Sequence, residues 1–127
     1  MRNVKALREA KKWLENWETQ RKVNGTLDIQ YVLSLDASET KLVQLKKRLK
    51  HLKMLESDIS SEICFLGDDS ETGKILSVVL MSIQAKVQVC ENAIENLTET
   101  LVERSMTEFF SQGGLIDFLD TKRTSLC

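Results

Sequence analysis

Apolar residues recur along most of this chain at alternating spacings of three and four, the repeat of a single helix face. The clearest run is Leu76, Leu80, Ile83, Val87, Cys90, Ile94, Leu97 and Leu101, spaced 4, 3, 4, 3, 4, 3, 4 without a break. A heptad stripe of this kind predicts one long helix with a buried seam, over residues 71–110. Leu42, Leu45, Leu49, Leu52, Ile59, Ile63 and Leu66 form a second stripe, interrupted at Glu56, where the neighbouring Leu55 substitutes. That stripe predicts a helix over residues 37–66. Upstream, Val4, Leu7, Ala10, Trp13, Leu14 and Trp17 share a face opposed mainly by Arg8, Lys11, Lys12, Glu15 and Glu18, which predicts a helix over residues 2–23.

The breaks between stripes carry the residues that end helices. Asn24 and Gly25 stop the first, Gly67 suits the C-terminal cap of the second, and Asp69 or Ser70 suits the N-terminal cap of the third. "SQGG", residues 111–114, closes the third and leaves residues 111–127 as a tail, with Leu115, Ile116, Phe118 and Leu119 able to form a short amphipathic turn. Residues 27–37 are ambiguous. Leu27, Ile29, Val32, Leu33 and Leu35 fit a short helix, an apolar loop or a backward extension of the second helix to residue 27, while Asp36 and Glu39 have the spacing of a capping box. The chain has no proline and five glycines, so it lacks the frequent turn signals of an all-β fold. The expected fold is all-α: an elongated antiparallel three-helix bundle over residues 1–110, its second and third helices joined by a short turn. No staple is required, because 127 residues suffice for a core.

Charge changes the picture of the surface. Residues 1–53 carry 13 basic and 6 acidic side chains, whereas residues 54–110 carry 3 and 11, although the whole chain is near neutral at −1. With the turn centred near residue 69, residue n of the second helix lies beside residue ~138 − n of the third. The basic run "KKRLKHLK", residues 46–53, thereby comes within reach of Glu91 and Glu95, part of a row continued by Glu99 and Glu103. Salt bridges on the bundle's rim are the plainest expectation, each worth roughly 0–1 kcal/mol. The sharper alternative makes Lys46, Lys47, Arg48, Lys50 and Lys53 a face for acidic lipid or an acidic protein. Nucleic acid is not expected, since no aromatics are interleaved with the basic residues.

Little else points to chemistry. His51 is the sole histidine and stands among lysines, and the three cysteines, Cys64, Cys90 and Cys127, lack metal or redox spacing. The pairing rule separates Cys64 from Cys90 by roughly 24 Å along the bundle, too far for a disulfide. No phosphate loop, nucleophile elbow or metal cluster is apparent. No enzyme activity, cofactor or metal is expected. Asn24 and Asn96 match the glycosylation pattern, but no secretory leader is recognisable, and the most apolar run is broken by Gln84, Lys86 and Gln88 short of a bilayer span. A cytoplasmic protein without a transmembrane segment is the expectation.

The segment "REAKKWLENWETQ" resembles the first helix of a spectrin repeat, in which a tryptophan followed by leucine plugs the core; Trp13 and Leu14 stand in that relation. "LKKRLKHLKMLES", the "GDDSE" turn and the long third helix follow in spectrin-repeat order, so the resemblance covers residues 2 to about 110. Ile83, Ala85 and Val87 stand where a typical repeat has an aromatic in its third helix, which makes this similar to a divergent repeat, as in nesprins, plakins, dystrophin relatives or anchoring scaffolds. The resemblance implies a buried anchor at Trp13, with Trp17 sealing the same end of the core through an edge acceptor for its indole N–H; a partner-binding tryptophan pair is the alternative. Leu49, Leu52, Ile83, Val87, Ile94 and Leu97 complete the expected core anchors. It further implies a spacer and protein-docking module of a cytoskeletal or scaffolding protein, associated with the cytoskeleton or, through its parent protein, with a membrane or the nuclear envelope. A monomer is expected, with a helix-exchanged dimer as the alternative and peripheral membrane contact compatible with the basic face.

Overall fold

A computed structural model of the chain describes residues 4–22, 29–67 and 69–111, and those residues are helical apart from short connections, with no strand among them. The helices are α1 (Val4–Arg21), α2 (Gln30–Leu33), α3 (Glu39–Leu66) and α4 (Glu71–Ser111). With 41 residues, α4 extends ~60 Å. The region read as loop or helix contains α2, a single turn, and the chain then bends through Ser34–Ser38 before α3 begins. The bend at Ser34–Ser38 separates α3 from α2. The tail beyond Ser111 and the "NG" stop at Asn24 and Gly25 lie outside the described residues.

Helix ends are set by local polar groups. Ser38, in extended backbone, accepts a hydrogen bond at Oγ from the Lys41 N–H (3.2 Å) and so caps α3. The expected capping box on Asp36 is replaced by this serine, whose short side chain reaches the first-turn donor directly. At the far end Gly67 takes φ 88° and its N–H bonds the Ile63 carbonyl, a left-handed step that a side chain would strain. Three residues on, Ser70 Oγ accepts the Gly73 N–H at 3.2 Å and starts α4. A methyl on Gly73 would sit 3.1 Å from the Gly67 carbonyl oxygen, so its bare Cα lets the reversal be this tight.

That turn lays α3 and α4 side by side in opposite directions. The Cys90 thiol donates to the Leu45 carbonyl (3.2 Å) and Arg104 Nη1 donates to the Ala37 carbonyl (2.9 Å), both within one helical turn of the pairing expected from sequence. Leu45, Leu52, Leu55 and Ile59 of α3 meet Leu76, Ile83, Cys90 and Leu97 of α4 in the buried seam. Leu55 does take the core place next to the break at Glu56. Burial of a Leu or Ile side chain is worth ~1.5–3 kcal/mol, so this seam is the principal source of stability.

Against the α3–α4 pair lie the two shorter helices. α1 lies beside the first part of α4, where Thr72 Oγ1 donates to Glu9 Oε2 at 2.9 Å, and it reaches α3 through Trp17. The α2 region covers the next stretch with Ile29 and Val32, both buried, and Lys41 Nζ ties the Leu33 carbonyl to α3 at 3.0 Å. Beyond Arg104 the last turns of α4 run on with every residue exposed.

Candidate docking surfaces

The tryptophans of α1 have unequal roles. Trp17 is only 5% exposed, and its indole N–H donates to Asp58 Oδ2 at 2.7 Å. Trp13 is half-buried against the core and, with Asn16, Trp17 and Gln20, lines an open cleft of about 180 Å³. The deeper anchor is therefore Trp17, where the sequence pattern favours Trp13. Position 17 faces the α3–α4 seam with a carboxylate waiting at its rim, so the large ring can be buried without stranding its N–H. Arg21 Nη2 reaches the same Asp58 oxygen at 3.0 Å, giving α1 a two-donor clasp on α3.

Of the other expected anchors, Leu52, Ile83, Val87 and Leu97 are buried, while Leu49 and Ile94 are partly buried and pack against them.

The basic run of α3 divides by side-chain direction. Val43, Lys46, Lys47, Lys50 and Lys53 recur at i, i+3, i+4, i+7 and i+10, opposite the Leu45–Leu52 seam, and all five are exposed. Arg48 turns inward instead: its Nη1 donates to Gln44 Oε1 at 2.7 Å, and its Nε is buried without a partner. The rim salt bridges expected between this run and Glu91 or Glu95 are not formed. Among the described residues the ion pairs are Arg21 with Asp58 and Lys74 with Glu71. The lysines point away from the α4 edge, and an exposed pair returns too little to hold two long side chains over that gap. The resulting cationic surface acts on His51, whose pKa lies below 6.5 because of partial burial and the neighbouring charges of Lys47, Lys50 and Arg48.

Cys90 is buried on the seam, and loss of solvation, reinforced by Glu91, pushes its thiol pKa up despite the opposing charge of Arg48. It behaves as a small apolar residue with one weak donor. Cys64 is exposed, and Cys127 lies outside the described residues. Among the described residues no group of three or more His, Cys, Asp or Glu side chains is placed to hold a metal ion. A second open cleft, about 280 Å³, lies between Lys5, Ala6 and Glu9 of α1 and Glu71 and Thr72 of α4.

No known family, curated protein or solved structure matches this chain.

Sequence patterning missed the far end of α4. Val102, Met106, Phe109 and Phe110 are 52%, 54%, 48% and 40% exposed. The two phenylalanine rings stack edge to face with centroids 6.3 Å apart. Their spacing at i, i+4, i+7 and i+8 is the detectable signal of a second apolar face, hidden in the sequence by the stronger heptad ending at Leu101. Glu99 and Glu103 lie along this face and Glu108 on the opposite side of the helix, all three exposed. By length and composition α4 is long and apolar enough to cross a membrane, with an 18-residue window of mean hydropathy 1.3, of which 28% is buried. Leu76, Ile83 and Cys90 of that helix are buried in the core.

Proposed function

We propose that this chain is a non-enzymatic spacer and protein-docking module of a cytoskeletal or scaffolding protein, built as a divergent spectrin-like repeat. In this reading α1 and α2 together take the place of a first helix beside the long α3–α4 pair, making three layers from four helices. The observation that carries it is the shape of α4: one helix of 41 residues that outreaches α3 and presents lateral apolar and charged faces along its length. A continuous helix fixes distance because bending it requires disturbing its backbone ladder. Exposed apolar faces beside such a rod receive partner helices. Small-angle scattering tests the reading. A monomer whose longest dimension is close to the length of α4 supports it, and a compact particle overturns it.

A second reading rests on the unneutralised lysines. Lys46, Lys47, Lys50 and Lys53 form an exposed cationic face without an ion-pair partner among the described residues, which favours an adaptor that binds acidic lipid or an acidic protein. Flotation with phosphatidylserine vesicles at low salt distinguishes it. Binding abolished by Lys46→Glu, Lys47→Glu and Lys50→Glu together, with helicity intact, supports the lipid-binding form; no binding removes that form.

A further inference from the structure

The outer faces of α3 and α4 carry opposite charge and match in spacing. On α3, Val43, Lys47 and Lys50 recur at i, i+4 and i+7 opposite the buried Leu45 and Leu52, with Lys53 on their flank, and all four are exposed. On α4, Glu95, Glu99 and Val102 recur at i, i+4 and i+7 opposite the buried Cys90 and Leu97, with Glu91 on their flank, and these are exposed as well. None of these lysines or glutamates has an ion-pair partner among the described residues. Within one chain both faces turn away from the seam that joins their helices, so they do not meet.

We propose that the partner of the lysine face is the α4 outer face of a second copy of this chain. This rests on the reading of those lysines as a docking face and names what they dock. Laid antiparallel, the two stripes fall into one register: Val43 beside Val102, Lys47 beside Glu99, Lys50 beside Glu95 and Lys53 beside Glu91. Their lengths agree, since Val43 to Lys53 covers ~15 Å of helix and Glu91 to Val102 covers ~16 Å. The valines meet at one end, and three opposite charges pair along the rest. Mating α3 with α3, or α4 with α4, sets like charges against one another, which opposes a two-fold dimer. The favoured contact is therefore heterologous. A joined pair leaves one lysine face and one glutamate face free, so the contact propagates as an open array of rods. Exposed ion pairs are individually weak and are screened by salt. The chain accordingly stays monomeric when dilute at ordinary ionic strength, and the array forms where copies are concentrated.

The test is sedimentation equilibrium of the full chain, with reductant present so that the exposed Cys64 forms no disulfide. Runs at ~10 mM salt, where the screening length is ~30 Å, are compared with runs at ~0.15 M, where it is ~8 Å. The expected result is a weight-average mass that rises with concentration at low salt, by half or more at the highest concentration, and falls back toward the monomer's at the higher salt. Lys47→Glu with Lys50→Glu, and separately Glu95→Lys with Glu99→Lys, should each give a monomer of unchanged helicity. Mixed in equal amounts, these two variants should associate again, because each meets in the other the charge that its own chain has lost. An unaltered chain that stays monomeric at low salt, a single variant that associates like the unaltered chain, or a mixture that stays monomeric overturns the proposal. A monomeric chain that binds poly-glutamate, with binding lost in Lys47→Glu with Lys50→Glu, overturns the second copy as partner and leaves the lysine docking face standing. Absence of both association and poly-glutamate binding overturns the two together.

Discussion

Replacing Trp17 by phenylalanine isolates the indole's part in fastening α1 to α3. The indole N–H bonds a carboxylate oxygen at 2.7 Å, a contact to a charged acceptor that is typically worth ~1.5–3 kcal/mol. Asp58 retains Arg21 and is 33% exposed, so water can replace the lost donor and the low end, ~1.5 kcal/mol, applies. The smaller ring also leaves unfilled volume at a site only 5% exposed, adding ~1 kcal/mol. The expected destabilisation is therefore ~2–3 kcal/mol, against ~0–1 kcal/mol for Arg21→Ala, which removes an exposed ion pair. Urea unfolding followed by circular dichroism gives both values. A double-mutant cycle of Trp17→Phe with Asp58→Ala separates the bond from the packing and should return a coupling of ~1 kcal/mol or more. Coupling indistinguishable from zero would refute the clasp and make Trp17 an ordinary packed ring.

Further outcomes follow from the same contacts. Leu52→Ala, at a fully buried seam position, should cost ~2–5 kcal/mol in urea unfolding, whereas Val43→Ala on the exposed face should cost little. Loss of the α3 cap in Ser38→Ala should cost ~1 kcal/mol, with Ser38→Asp restoring most of it. The His51 imidazole should titrate below 6.5 by NMR and move upward in Lys47→Glu with Lys50→Glu. Because the unfolded chain binds that proton more readily, this histidine's effect is to lower stability as pH falls through 6.5 toward its folded pKa, and the histidine-to-glutamine variant should lack that component. Ellman's reagent should modify Cys64 promptly in the folded chain and reach Cys90 only on unfolding.

The long elements were legible because their side chains obey one period over many turns. The α4 heptad from Leu76 to Leu101 and the glycine at position 67 place both the helix and the reversal that pairs it with α3. Trp17's depth was not legible, since it depends on Asp58, which is 41 residues away and enters no local pattern. The capping of α3 had two local candidates, and backbone conformation at Ser38 decided between them. Charge pairing failed for a different reason. The Cys90–Leu45 and Arg104–Ala37 contacts set Glu91 and Glu95 level with residues just before Lys46, and Lys46, Lys47, Lys50 and Lys53 are exposed on the face opposite the seam. The distal apolar face of α4 was visible in principle, as a second set of spacings overlapping the end of the first.

The continuity of α4 is best tested by pulsed dipolar spectroscopy between nitroxides at Glu71→Cys and Ser111→Cys, with Cys64 and Cys127 changed to serine. A straight helix predicts one narrow distance distribution near ~60 Å, little changed by salt. A broad distribution, or a principal distance well below that length, would show that α4 bends or breaks and would contradict the spacer.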